Sequence, residues 1–250
     1  GKSLTAINHR FPKIIVGATQ NIVMAATLAS GTTVLKNCAI EPEVIDLINF
    51  LNKCGSKITV NKRVIKIVGK ENLELSNHEI IPDRIEAGSY ILATMATKGK
   101  LQIKNFLIEH LQEPINLFKK MGLKVKKINT NEYLFSCSRI KPINLIETKE
   151  YPGFPTDLQA QLISVFLKNG KKSKIKENIF ENRFIHIPEL RRFGADIVLK
   201  NNIVIRFVGD KTTFAKNLQR KLNELETSSA KNSGLNLNIA LNYGGRSEIV

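Results

Sequence analysis

Apolar residues along this chain recur in two alternating rhythms. Val44, Leu47, Ile48 and Leu51 fall at helical spacing, whereas Val64, Ile65, Ile67 and Val68 form a short run rich in β-branched residues. A basic residue, one spacer and a glycine separate such runs three times, at Lys53-Cys54-Gly55, Lys120-Met121-Gly122 and Arg192-Phe193-Gly194. Each is followed, after two residues, by a β-branched position: Ile58, Val125 and Ile197. The pattern predicts a helix, a glycine cap and a strand. A second landmark lies upstream of each glycine, at Gly31 to Asn37, Gly99 to Asn105 and Gly170 to Asn178, where a glycine leads into a strand-like run. Ahead of these come further helical runs, Asn21 to Leu28, Gly88 to Ala96 and Leu158 to Leu167. The chain therefore reads as an α/β protein built of helix-strand-helix-strand units that recur at about 70 residues. Helices with one apolar stripe and mostly apolar strands predict helices packed against sheets.

The rhythm changes after about residue 202. Ile203 to Val208 reads as a strand, about Phe214 to Ala230 as a polar helix, and Leu235 to Tyr243 as a second strand ended by Gly244 and Gly245. This is a βαβ-like tail, and the expected boundary falls near residues 200 to 206.

Composition narrows the class. With 42% hydrophobic residues in 250, the chain can bury a core. Its longest apolar stretch, Ile22 to Ala29, is too short to span a bilayer. The chain begins at Gly1, and its first residues carry no signal pattern, so the expectation is a soluble cytoplasmic protein without a membrane span. Cys38, Cys54 and Cys137, like the four histidines, are scattered. No disulfide framework, metal site or cofactor is expected from them. The net charge of +16 is mostly dispersed lysine, and aromatics are 6%. The interleaved stacking residues of a single-strand binder are largely missing, so a solvated lysine-rich surface is the expectation, with no nucleic-acid partner. Anionic small molecules are compatible with that surface.

Candidate chemistry enters through five blocks in order. They are Val16-Gly17-Ala18-Thr19-Gln20-Asn21, Glu41-Pro42-Glu43-Val44-Ile45-Asp46, Pro82-Asp83-Arg84-Ile85-Glu86, Phe154-Pro155-Thr156-Asp157-Leu158-Gln159-Ala160-Gln161, and Phe180-Glu181-Asn182-Arg183-Phe184. Together they resemble the UDP-N-acetylglucosamine enolpyruvyl transferases (1-carboxyvinyltransferases) over about residues 11 to 202. The resemblance implies an inside-out α/β barrel of two domains, incomplete here, with residues 1–81 belonging to the first and 82–202 to the second. It implies phosphoenolpyruvate and UDP-N-acetylglucosamine as substrates in peptidoglycan synthesis, and with them a place in cell-wall biogenesis, cell shape and division.

By the same resemblance Lys13, Val16, Gly17 and Ile179 lie at the nucleotide-sugar site. Asp157 orients and deprotonates the sugar 3-hydroxyl, and Arg183 faces the carboxylate or phosphate of phosphoenolpyruvate. The residues alone leave alternatives open. Asp157 precedes a helical run and reads equally as a capping acid, Arg183 as a surface cation, and Gly17 as a turn glycine. Two departures bear on activity. Ile15 stands where the family commonly has Ser, and none of the three cysteines has the context of the family's reactive cysteine.

The tail has a different likeness. Ile205-Arg206-Phe207-Val208-Gly209-Asp210 and the run from Leu235 through Asn242-Tyr243-Gly244-Gly245-Arg246 resemble cis-prenyltransferases of the undecaprenyl diphosphate synthase type. Residues 203–250 are therefore expected to be a fragment of that kind, and a gene fusion, a degraded gene or an assembly artefact is the plainest account of the junction. The leading expectation is an enolpyruvyl transferase fragment that is inactive alone. Its rivals are a nonenzymatic remnant or binding fragment, a prenyltransferase piece and a nucleic-acid-binding module.

Overall fold

The computed structural model describes residues 4–169, 172–180, 182–199, 203–230 and 235–241. Gly170, Glu181 and the Asn242 to Arg246 run, all used in the sequence reading, lie outside them. The chain forms two compact units, Gly1–Ala195 and Asp196–Val250.

The first unit opens with strand β1 (Asn8–Arg10), helix α1 (Val16–Ala26), strand β2 (Thr32–Lys36), helix α2 (Pro42–Lys53) and the hairpin β3 (Lys57–Asn61) and β4 (Val64–Val68). The order then returns as α3 (Arg84–Thr97), β5 (Lys100–Ile103), α4 (Gln112–Lys120) and the hairpin β6 (Lys124–Asn129) and β7 (Glu132–Ser136). Strand β8 (Leu145–Glu147), helix α5 (Gln159–Asn169), strand β9 (Lys174–Lys176) and helix α6 (Ile187–Arg192) complete it. The first sheet runs β1-β2-β4-β3 and the second β5-β7-β6, so in both the later hairpin strand is central. β1 adds to β2 in parallel, and β8 pairs with β9 in parallel.

Local chemistry accounts for the helix ends. Pro42 sits in the first turn of α2, where its missing N–H costs no helical bond, with Glu43 in the same turn and Lys53 in the last. Asp83 caps α3 by accepting from the Ile85 and Glu86 amides at 2.7 and 3.1 Å. The three predicted cap glycines, Gly55, Gly122 and Gly194, all have positive φ, at 93°, 111° and 87°. The residue after each donates back to the helix: Ser56 N–H to the Leu51 carbonyl, Leu123 to Phe118, and Ala195 to Leu190, at 3.0, 2.9 and 3.1 Å. That bond needs a left-handed residue at the turn, which glycine adopts without steric cost.

Two cores fill the unit. One joins Phe11, Val23, Leu35, Ile48 and Ile65 across α1, α2 and the first sheet. The other joins Ile91, Phe106, Phe118, Phe135, Phe154 and Leu158 across α3, α4, α5 and the second sheet. Helix α3 lies close on the segment entering α5. A Cβ at Gly88 would stand 2.6 Å from Leu158 Cδ1, and the Gln161 amide donates to Ser89 Oγ at 3.0 Å. The Arg84 guanidinium forks onto Glu43 of α2 at 3.0 and 3.1 Å and ties the two cores together.

The second unit consists of β10 (Ile203–Val208), α7 (Lys216–Ser229) and β11 (Leu235–Ala240), with the two strands parallel in register Ile203 to Leu235. Glu226 on α7 accepts from the Phe207 amide at 2.6 Å and from Lys211 Nζ at 2.7 Å, pinning the helix to β10. Among the described residues, no helix is long and apolar enough to cross a membrane.

Candidate functional site

The predicted site residues fall into two groups, each held at the end of a parallel strand pair. At the first, Phe11 follows β1, is buried, and donates its amide to the Lys36 carbonyl at 3.0 Å. Asn37, in the left-handed region at φ 59°, donates its Nδ2 to the Phe11 carbonyl at 2.9 Å. The chain leaves this anchor through Pro12 and exposed Lys13 to enter α1, whose first residues are Val16 and Gly17. No side chain caps this helix and no acid occupies its first turn. Thr19 turns its hydroxyl back to the Ile15 carbonyl at 2.9 Å instead. A Cβ at Gly17 would meet nothing within 4 Å, so the space above the helix start is open. Uncapped amides at the positive end of a helix, with a lysine one turn ahead, form a setting for an anion. Ile15 contributes an exposed apolar side chain where a hydroxyl would have added a donor.

The second group is organised by a residue that sequence reasoning missed. Glu177, just past β9, takes four hydrogen bonds. Its Oε1 accepts from the Thr148 hydroxyl at 2.9 Å and from the Ile179 and Phe180 amides at 2.9 and 3.2 Å. Its Oε2 accepts from the Thr156 hydroxyl at 2.9 Å. Thr148, wholly buried at the end of β8, accepts from the Asn178 amide at 2.9 Å, while Asn178 Nδ2 donates to the Thr148 carbonyl at 3.1 Å. An asparagine just past the second strand thus holds the residue just past the first, as Asn37 holds Phe11. Glu177 followed by Asn at the end of a short strand was the available signal, and nothing in it marks the carboxylate as a hub.

On this frame stand Asp157 and Arg183. Asp157 lies in a 3₁₀ turn, Thr156–Leu158, that leads into α5. The N-cap of the turn is Pro155, whose side chain makes no capping hydrogen bond. The Asp157 carboxylate pairs with Arg183 Nη2. Arg183 Nε donates to the Thr156 hydroxyl at 3.2 Å, and its guanidinium sits 5.2 Å from the Phe180 ring centroid. One hydroxyl, that of Thr156, therefore accepts from Arg183 and donates to Glu177. Ile179 is held on the same frame through its amide, which donates to Glu177. Both charged side chains retain substantial exposure, 39% for Arg183 and 52% for Asp157, so incoming ligands can reach the pair.

The cysteines are placed otherwise. All three are buried, and burial pushes the Cys38 and Cys137 thiols above the ordinary range. Since the thiolate is the reactive form, neither Cys38 nor Cys137 is set up as a nucleophile, and Cys54 is shielded by its burial. A thiol-directed maleimide at neutral pH should label the native chain slowly and all three cysteines promptly in denaturant. Stoichiometric labelling within minutes under native conditions would contradict this placement.

A family model described as EPSP synthase (3-phosphoshikimate 1-carboxyvinyltransferase) matches residues 1–225. The chain belongs to the EPSP synthase family. Within it, the chain is 48% identical over 203 residues to a UDP-N-acetylglucosamine 1-carboxyvinyltransferase of Pelagibacter ubique, which covers 80% of this chain and 48% of that protein. A protein of the same name from Rickettsia bellii is 47% identical over 197 residues, covering 78% and 46%. The chain thus spans about half the length of the curated relatives it matches. Among solved structures, the enolpyruvyl transferase NikO from Streptomyces tendae superposes with a TM-score of 0.65 at 21% identity, over 90% of this chain and 54% of that one. The fold is therefore that of an EPSP synthase-family enolpyruvyl transferase. The family match continues to residue 225, past the boundary expected near residues 200 to 206. The likeness of residues 203–250 to cis-prenyltransferases gains no support from these matches.

Proposed function

We propose that this chain carries part of a UDP-N-acetylglucosamine 1-carboxyvinyltransferase, the activity that moves the enolpyruvyl group of phosphoenolpyruvate to the sugar 3-hydroxyl and releases phosphate during peptidoglycan synthesis. The observation that carries the reading is the Asp157–Arg183 pair on the Glu177-ordered frame, in a chain almost half identical to proteins of that name.

In this reading the uncapped start of α1, with Lys13, Val16 and Gly17, takes the diphosphate of the nucleotide sugar. Ile179 flanks the same ligand. Arg183 turns its fork to the carboxylate or phosphate of phosphoenolpyruvate, an anion that competes with Asp157 for the guanidinium. Asp157, released from the pair, accepts the proton of the sugar 3-hydroxyl as that oxygen bonds to C2 of phosphoenolpyruvate. The C2–O bond to phosphate breaks, the carbon–carbon double bond is retained in the product, and the phosphate takes up the proton as it leaves. The two cores then correspond to parts of the first and second barrel domains, within residues 1–81 and 82–202.

Titration calorimetry at moderate salt tests the ligand. UDP-N-acetylglucosamine should bind saturably, and Lys13→Ala should weaken it about tenfold, the effect of losing one charge-assisted contact of about 1.4 kcal/mol. Strong DNA binding that falls steeply with salt, with no response to the nucleotide sugar, would overturn the proposal.

A further inference from the structure

Arg63 belongs to neither group of site residues, yet it touches the segment that leads to each. It lies in the tight turn between β3 and β4, and its side chain is half-buried. Nη1 donates to the Cys38 carbonyl at 3.0 Å, and Nη2 donates to the Tyr151 carbonyl at 2.6 Å, across 88 residues of sequence. The turn itself is fastened to the same place, because the Cys38 amide donates to the Arg63 carbonyl at 3.0 Å.

Both carbonyls sit one short, stiff step from the candidate site. Cys38 adjoins Asn37, which holds the Phe11 carbonyl, and Phe11-Pro12-Lys13 runs into α1. Tyr151 lies in the segment between β8 and the Asp157 turn. That segment is closed on itself by Lys149 N–H to the Phe154 carbonyl at 3.0 Å and anchored in the core by Phe154. Phe154 is followed by Pro155, Thr156 and Asp157. On its other side the Tyr151 ring faces the Arg84 guanidinium, 5.5 Å from the ring centroid, so this segment is gripped by two arginines.

We infer that Arg63 is a positioning residue that sets the separation between the two halves of the candidate site. The inference rests on the functional reading above. A guanidinium suits this task because its donors are fixed in one rigid plane, so two carbonyls bonded to one fork are held at a set spacing. A lysine ammonium is a point donor on a flexible stem and does not reproduce that planar fork. Since both acceptors are backbone atoms, replacing Arg63 removes no group that touches a ligand and changes only where the two segments stand. Small displacements of this kind cost binding and rate when a ligand must meet both sides at once.

The test compares two ligands on the whole chain by calorimetry. UDP reaches only the α1 half, whereas the sugar of UDP-N-acetylglucosamine also reaches the Asp157 half. The wild-type chain should bind the nucleotide sugar about tenfold more tightly than UDP. Arg63→Lys should leave UDP affinity unchanged and bring the nucleotide sugar down to the level of UDP. Arg63→Gln, which is shorter and keeps a single donor nitrogen, should do the same and serves if the lysine variant does not fold. A variant that keeps the full preference for the nucleotide sugar, or loses both ligands equally, overturns the positioning role. A wild-type chain that binds neither ligand refutes the site reading, and the inference falls with it.

Discussion

The purified 250-residue chain, supplied with phosphoenolpyruvate and UDP-N-acetylglucosamine, is expected to release phosphate no faster than a protein-free control. Moving an enolpyruvyl group requires both reactants held in a closed, water-poor cleft, with cationic donors placed around the phosphate as it leaves. On the proposed reading, Asp157 supplies a base and Arg183 one such cation. Groups that act as a unit lose nearly everything when some members are missing. The chain spans about half the length of its curated relatives, and its three thiols are buried. The measurement is colorimetric phosphate release, with Asp157→Ala as the control. Turnover of roughly 1 per second or faster, abolished in that variant, would show that this half suffices.

Glu177→Ala is the substitution expected to damage the fold around the site most. It leaves the Thr148 and Thr156 hydroxyls and the Ile179 and Phe180 amides without their common acceptor. Hydrogen bonds to a charged group contribute about 1.5 to 3 kcal/mol each, but these four share one partly exposed carboxylate and water replaces some of them, so a net loss of about 3 kcal/mol is expected. For a unit of this size that lowers the melting temperature by about 6 to 12 °C. Glu177→Gln keeps the shape but turns one acceptor into a donor facing a hydroxyl, and should cost less. Amide exchange at Ile179 and Phe180 should quicken in both variants. A Glu177→Ala chain that melts with the wild type and keeps those amides protected would show that the carboxylate is not the organiser. Because Thr156 also receives Arg183, the same change should loosen the Asp157–Arg183 pair and weaken nucleotide-sugar binding.

Parts of this arrangement are legible in the sequence. The glycines at 55, 122 and 194 could be read as helix caps because the bond they permit closes within six residues. The stripe of Val44, Ile48 and Leu51 could be read as the inner face of α2 for the same reason, since helical periodicity is local. The family blocks singled out Asp157 and Arg183, which lie 26 residues apart and form a pair. Spacing could not choose between base and cap for Asp157, because both uses put an acid ahead of a helix.

What the sequence by itself determined is therefore the kind and order of most elements and the family they belong to, since these depend on side chains within a few turns of one another and on motif order. The strand expected after Gly194 does not form over residues 195–199. What only the tertiary structure decided is which distant groups share a partner. Glu177 gathers two threonines 29 and 21 residues away, Arg84 forks onto a carboxylate 41 residues back, and Arg63 spans 25 residues to one carbonyl and 88 to the other. None of these residues stands out by type, because a glutamate after a strand or an arginine in a hairpin turn is ordinary on a charged surface. Chain folding brings to each a set of acceptors or donors from distant segments, and the cost of leaving a backbone carbonyl or a buried hydroxyl under-satisfied makes the charged side chain a fixed point between them.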